Sequence, residues 1–350
     1  MKAFIAAHGQ PDNLGDSVLR RAMLDTFIDP LIERHVLVGM DSGDFAAGLG
    51  LRPQDHVYES RSQWQRAALR AAFAGPIAFV TNAGEVQLNQ RRTKIALADI
   101  PTVALVRARG GRVVQTGMGF RTPEGRYPWQ IALVSRVSGI ATWRDEPSRR
   151  YARVGVVAPD WAFALPASGS PAPSRDLLVV TMRGDRPAPT DAFVQSVRQV
   201  SDELGLRPVV VNQVVRDLAR SRELATLLDA EFLAPWEGGA HAEFEARIRD
   251  IYARSAVVVS DRLHALVLGF TEGAVPIGAT QGAPEKLDRT FAGAGIEGVS
   301  FDATALSRDA MVERMRAIVG RRDELLAACA SAREQLLRLG ARTRAYVLGR

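Results

Sequence analysis

The sequence predicts an α/β protein of two domains, and three observations carry that expectation. The chain has 350 residues, two to three times a usual single domain. Short β-branched runs alternate with helical patterns along its whole length, the signature of parallel strands layered with helices rather than of a sandwich or a bundle. At residues 165–175 the alternation stops, because Leu-Pro-Ala-Ser-Gly-Ser-Pro-Ala-Pro-Ser-Arg carries three prolines and three serines and no periodic apolar pattern. The expected division is therefore a first domain over residues 1–165, a linker over 166–175, a second domain over 176–320 and a C-terminal helical segment over 321–350.

In the first domain, residues 2–7 read as a buried strand. A polar loop follows, then a helix over about 16–28 with Val18, Leu19, Ala22, Met23 and Phe27 on one face. Further strand candidates are 35–38, 77–81, 102–106 and 113–116, with helical patterns over 60–74 and 87–98. After the linker the order is strand 177–181, helix 189–204, strand 208–211, a helix through 218 and 228, helix 242–254, strand 256–260, helix 261–270, strand 275–277 and two terminal helices after Ser307. Two such halves imply a cleft, because parallel sheets take ligands at the carboxyl ends of their strands.

Composition narrows the classes. Hydrophobic residues make up 47% and charged residues 24%, so the chain is neither mostly disordered nor a membrane-spanning bundle. The net charge is +6, yet only three basic residues are lysine, Lys2, Lys94 and Lys286, and the other forty-two are arginine. The basic residues are spread rather than blocked and no aromatic platform accompanies them, which argues against nucleic acid as a partner. A lysine kept against so strong a bias, as Lys286 is, becomes a site candidate. The one cysteine, Cys329, permits no internal disulfide and reads as a core thiol on a helix face. The apolar run 3–7 is broken by His8, Gly9 and Gln10, too short for a signal peptide, so the expected location is the cytoplasm.

The densest candidate site is Ala-Val-Val-Val-Ser-Asp-Arg-Leu-His-Ala-Leu-Val-Leu-Gly-Phe, residues 256–270. A buried strand runs into a helix start, where free backbone N–H groups and the positive end of the helix dipole suit an anion. Arg262 and His264 lie there; residues two apart on a regular helix diverge by about 200 degrees, so both can serve one ligand only if Arg262 reaches from the strand–helix junction. Arg183 follows strand 177–181 by the same carboxyl-end logic, with Gly184 beside it to let a ligand approach the backbone. Lys286 follows the next βα unit after His264, and consecutive units are usually neighbours. In the first domain, residues 8–16 form a polar βα loop whose asparagine and carboxylates suit either sugar hydroxyls or plain turn and capping chemistry. No Rossmann fingerprint, P-loop, metalloprotease pair or nucleophile elbow is present, and no metal is expected.

Taken in order, these segments resemble the polysaccharide pyruvyl transferase family. The family's N-terminal Asn-x-Gly-Asp is similar to Asn13-Leu14-Gly15-Asp16. Its Arg-Asp-x-x-Ser and Pro-Asp-x-Ala-Phe are similar to Arg144-Asp145-Glu146-Pro147-Ser148 and Pro159-Asp160-Trp161-Ala162-Phe163. Met182-Arg183 and Arg262-Leu263-His264-Ala265, with Lys286 downstream, complete the likeness. Two departures stand out. The family's glycine-rich turn after the third strand is here Asn82-Ala83-Gly84-Glu85, and its Tyr-Asp before the late lysine is Ala283-Pro284-Glu285.

The resemblance implies a GT-B-like fold of two facing Rossmann-like domains, with the last helix packing back on the first. It implies transfer of the enolpyruvyl unit of phosphoenolpyruvate onto two hydroxyls of a sugar as a ketal, in cell-surface or exopolysaccharide synthesis, with no cofactor beyond that donor. Arg183, Arg262, Leu263 and Lys286 would bind phosphoenolpyruvate, whose phosphate and carboxylate call for separated cations. His264 would be the general acid at C3 of the enol. Asp16 would act on an acceptor hydroxyl, and Asn13, Gly15, Asn82 and Gly84 would hold the acceptor, a saccharide or lipid-linked oligosaccharide. A GT-B glycosyltransferase using a nucleotide sugar is the alternative, and a non-catalytic sugar- or lipid-carrier-binding module is a third reading. The arginine-rich stretch from Arg314 to Arg350 reads as a solvated helix face, with peripheral contact to the inner membrane surface as its alternative use.

Overall fold

The computed structural model describes residues 1–40, 43–122, 128–169 and 174–350. By contacts the chain forms two compact units, one of Met1–Pro11, Asp16–Ala164 and Glu334–Arg350, the other of Asp12–Gly15 and Leu165–Arg333. Of the expected linker, residues 170–173 lie outside the described residues. Residues 12–15, which the sequence places in the first domain, cluster with the second unit.

The first unit is built on an eight-stranded parallel sheet of β1 (Lys2–Ala6), β2 (Glu33–Leu37), β3 (His56–Tyr58), β4 (Ala78–Val80), β5 (Gly84–Val86), β6 (Arg112–Phe120), β7 (Ile140–Trp143) and β8 (Val156–Val157). The strand order is β3-β2-β1-β4-β6-β7-β8, with β5 paired to β6. The second unit carries β9 (Leu177–Thr181), β10 (Arg207–Val210), β11 (Glu231–Phe232), β12 (Ser255–Ser260), β13 (Val275–Thr280) and β14 (Ser300–Asp302), ordered β11-β10-β9-β12-β13-β14 and parallel throughout. Both sheets are doubly wound. In each the strand order reverses beside the first strand, between β1 and β4 and between β9 and β12, and a doubly wound sheet opens its ligand crevice at that reversal.

The strands are nearly continuous apolar runs because helices cover both faces of a parallel sheet. Each residue of Leu-Leu-Val-Val-Thr in β9 is buried. In the first unit Phe4, Trp64, Phe79, Val103, Val106 and Val113 share one core, and Met118, Phe120, Ile131 and Trp143 another. Residues 102–106, expected as a strand, instead lie inside the helix Gln90–Ala108. Its buried residues Ala96, Asp99, Thr102, Val103 and Val106 recur every three or four positions, a helical period that overrides the β-branched composition of the short run.

The last helix, Arg322–Leu348, starts in the second unit, and its residues from Glu334 on belong to the first. There Arg112 Nε donates to the Tyr346 carbonyl at 3.2 Å, the Arg112 guanidinium lies over the Tyr346 ring, and Val347 is buried. Cys329 is buried in the same helix, and desolvation pushes its thiol up to about 12, so it stays protonated. Among the described residues no helix is long and apolar enough to cross a membrane.

Candidate active site

In the second unit, the carboxyl ends of β9 and β12 are adjacent, since Thr181 pairs with Ser260. Arg183 leaves the first strand and Asp261 and Arg262 leave the second, so the reversal in strand order brings them together. The connection is direct: the Arg183 backbone N–H donates to Asp261 Oδ1 at 2.8 Å. Ser260 Oγ donates to the Thr181 carbonyl at 2.6 Å and accepts from the Arg262 N–H at 2.9 Å, which locks the junction.

The helix begins at Leu263, so Arg262 is its N-cap with an extended backbone, φ −94° and ψ 114°. Arg262 does therefore reach from the junction rather than from the helix. Its Nε and Nη2 donate to the two oxygens of Asp217, at 2.7 and 2.5 Å, a bidentate pair in which Asp217 is fully buried. That pairing leaves Nη1 as the part of the fork available to a ligand. Asp217 Oδ1 also accepts the Gly184 N–H at 2.8 Å, so one buried carboxylate anchors the loop after β9 and the arginine after β12. Arg183 makes a second bidentate pair with Asp185, at 2.8 and 2.6 Å, and Asp185 Oδ1 lies 4.0 Å from Arg262 Nη2. Hydrogen bonding to Arg183 holds the Asp185 carboxyl well below the usual carboxylate range. A Cβ on Gly184 would stand 2.7 Å from the Arg216 carbonyl oxygen, so the missing side chain admits that backbone.

His264 occupies the first turn of the helix Leu263–Thr271, and Leu263 points into the core at 5% exposure. A Cβ on Gly15 would stand 2.5 Å from His264 Cβ and 2.7 Å from Nδ1, so the absent side chain lets the backbone of residue 15 lie against the imidazole. That segment is held by the Leu14 N–H on the Gln213 carbonyl, the Val215 N–H on the Asp12 carbonyl, and a bridge between Asn13 and Val214. Residues 213–217 thus hold Asn13 at one end and present Asp217 to Arg262 at the other. Asn13 Oδ1 accepts the Gly15 N–H at 3.1 Å, which makes Asn13 rather than Asp16 the cap of the helix Leu14–Asp25. Lys286 stands in the first turn of the helix Glu285–Ala292, after β13, the strand next to β12.

Asp261 carries a further consequence. Burial, opposed by the Arg183 N–H and the two guanidinium groups, pushes its carboxyl up to about 6. The folded value exceeds the unfolded one, so the native state holds more protons than the unfolded chain between about 4 and about 6, and this group's contribution to stability falls as pH rises through that window. Asp261→Asn keeps an acceptor for the Arg183 N–H and removes the penalty. Its expected effect in urea titrations is a gain of at most about 3 kcal/mol at pH 8, about half of that at pH 5. An equal gain at both pH values would assign the titration elsewhere.

In the first unit, the reversal between β1 and β4 collects His8 and Asn82. Arg20, buried at 6% exposure, donates Nε to the His8 carbonyl at 2.6 Å and pairs with Asp16 at 3.1 Å. Asn82 Nδ2 donates to the same carbonyl at 2.8 Å, while its Oδ1 is buried with no hydrogen-bond partner among the described residues. Asp16 Oδ2 also accepts the Gln10 N–H at 2.9 Å. Gly84 sits at φ +103°, where its Cβ would meet Leu19 and Arg20 at 3.1 and 3.4 Å, so the missing side chain leaves room for Arg20. A small depression here is lined in part by His8, Arg61, Thr81, Asn82 and Asp99.

The Arg-Asp and Pro-Asp motifs do structural work. Arg144 is 1% exposed and pairs with Glu85 at 3.2 Å and Asp160 at 3.3 Å. Asp145 caps the helix Glu146–Ala152 through the Ser148 N–H, Ser148 Oγ accepts the Phe120 N–H, and Trp161 Nε1 donates to Thr116.

Residues 77–278, more than half of the chain, match the family model described as polysaccharide pyruvyl transferase. No curated protein matches the chain by sequence. Among solved structures, a putative UDP-N-acetylglucosamine 2-epimerase from Listeria monocytogenes is similar at a TM-score of 0.60 and 9% identity, over 100% of this chain and 97% of that one. HepE from Anabaena, in complex with UDP, is similar at 0.57 and 11% identity over 99% of each chain. UDP-GlcNAc 2-epimerase from Methanocaldococcus jannaschii is similar at 0.56 and 12% identity, over 91% and 93%. At such identities the likeness establishes the fold alone, a GT-B-like pair of Rossmann-type units.

Proposed function

Because the chain belongs to the polysaccharide pyruvyl transferase family, we propose that it moves the enolpyruvyl unit of phosphoenolpyruvate onto two hydroxyls of a saccharide or lipid-linked oligosaccharide as a ketal. What supports this donor is the pair Arg183 and Arg262, which leave neighbouring strands on the two sides of the second sheet's reversal, with Arg262 two residues before His264 in the chain. A phosphate and a carboxylate on one small molecule need two separated cations, and Arg262 through its spare Nη1 and Arg183 through the fork that Asp185 occupies supply them. Lys286 adds a point charge from the next βα unit. The reaction needs no cofactor besides the donor.

His264 protonates C3, which becomes a methyl group while positive charge develops at C2. One acceptor hydroxyl forms a C–O bond to C2 and returns its proton to His264. The second hydroxyl then forms the other C–O bond as the C2–phosphate bond breaks, and its proton leaves with the phosphate. Asn13, Gly15, Asn82 and Gly84 belong to the acceptor side of this reading, with Asp16 acting on a hydroxyl. Cell-surface or exopolysaccharide synthesis in the cytoplasm, with the acceptor presented at the inner membrane face, is the setting that fits.

The test is to incubate purified protein with phosphoenolpyruvate and a panel of saccharide acceptors. Release of phosphate together with a product heavier than the acceptor by one ketal-linked pyruvyl group is the expected result. Thermal stabilisation by UDP but not by phosphoenolpyruvate would favour the nucleotide-sugar transferase instead. Asp185 supplies a second check. Its carboxylate occupies the Arg183 fork that the donor must enter, and half of its side chain is exposed. Asp185→Asn is therefore expected to lower KM for phosphoenolpyruvate severalfold, as loss of a partly screened ion pair allows, with kcat unchanged. An unchanged or raised KM would remove the donor from that fork.

A further inference from the structure

We infer that Glu33, His35 and His56 form a binding site for one divalent transition-metal ion on the first unit. β2 and β3 run parallel with His35 paired to His56, so both imidazoles stand on the same face of the sheet. Glu33 lies two residues before His35 and so shares that face. The imidazoles stack with centroids 4.5 Å apart and planes 13° from parallel. Glu33 Oε1 lies 2.9 Å from His35 Nε2 and 3.1 Å from His56 Nε2, and all three potential ligand atoms fall within 4.8 Å of one another.

These separations suit a metal. Two ligands bonded to one ion at about 2.0–2.2 Å, near tetrahedral or octahedral angles, stand roughly 3.0–3.4 Å apart. His56, whose side chain is 53% exposed, turns out of its stack on His35 so that both Nε2 lone pairs point at the ion, Glu33, 40% exposed, follows, and the remaining positions are open to water. His35 is the rigid anchor, stacked on Phe4 and 6% exposed. Its Nδ1 lies 3.1 Å from Tyr58 Oη, an outer partner that holds the ring with Nε2 turned to the ion. Two imidazoles and one carboxylate select Zn²⁺, Co²⁺, Ni²⁺ or Cu²⁺ over Mg²⁺ or Ca²⁺. Lys2 Nζ, 3.7 Å from Glu33, opposes the ion and keeps the affinity modest. Once bound, the ion straps the three-residue edge strand β3 to β2, at the amino ends of the strands and so at the opposite end of the sheet from His8 and Asn82.

The experiment uses the untagged full chain dialysed against a chelator. Titration with Co²⁺ followed by visible absorption, and with Zn²⁺ followed by calorimetry, is expected to show one equivalent bound and a thermal midpoint raised by a few degrees. His56→Ala and Glu33→Gln, both at exposed positions, are expected to keep the wild-type circular dichroism and to lose the cobalt spectrum and the thermal shift. No cobalt bound at millimolar metal, or one-to-one binding undiminished in both variants, overturns the site. None of these readouts involves turnover, so the outcome is separate from that of the pyruvyl transfer assay.

Discussion

His264→Ala is expected to lower kcat for phosphate release from phosphoenolpyruvate by about 10²–10⁴-fold, the range that loss of a positioned general acid produces. KM should change little, because in the proposed reaction the donor's charges are met by Arg183, Arg262 and Lys286. Fold should also survive, since His264 stands in a first turn whose core contacts come from Leu263, Leu266 and Val267. Steady-state phosphate release with circular dichroism as a control measures this. Undiminished turnover would remove His264 from the chemistry. A fall in both kcat and thermal midpoint would instead point to its packing against Gly15 as the function of the imidazole.

Arg262→Ala is expected to fail twice. Truncation leaves the fully buried Asp217 carboxylate without its bidentate partner, and breaking a buried pair in this way costs about 3–5 kcal/mol. It also removes one of the two arginines proposed for the donor, so KM for phosphoenolpyruvate should rise by at least tenfold in whatever fraction remains folded. Arg262→Lys separates the two effects. An ammonium restores a charge beside Asp217 but cannot offer Nε and Nη2 to the carboxylate and Nη1 to the ligand at once. Stability in urea should therefore recover in part while KM stays high. Full recovery of KM by lysine would show that charge alone, rather than the fork, serves the donor.

The alternation of strands and helices and the break near residue 170 made the two α/β units legible in the sequence, because parallel strands buried on both faces must be apolar runs and the segments between them must be amphipathic. The error over residues 102–106 had a physical source. A five-residue apolar run is compatible with either period, and only the packing of Ala96, Thr102, Val103 and Val106 on one side selects the helix. The strands β5, β8, β11 and β14, two or three residues long, carry too little pattern to be seen before their neighbours exist.

The sequence by itself determined that arginines and a histidine stand at the carboxyl ends of strands in a doubly wound sheet, since strand ends and helix starts are local properties. It could signal Asp185 and Asp261 only as neighbours of Arg183 and Arg262 in the chain. Asp217 carried no local signal: it lies 34 residues from Arg183 and 45 from Arg262 and meets both loops only when β9, β10 and β12 assemble. Arg20 stands between these cases: its pair with Asp16 is the i, i+4 spacing of one helix, whereas its bond to the His8 carbonyl forms only in the fold. Tertiary structure alone decided which side chains touch a ligand's place and which hold those that do, because a buried carboxylate finds its partners through burial and not through spacing in the chain.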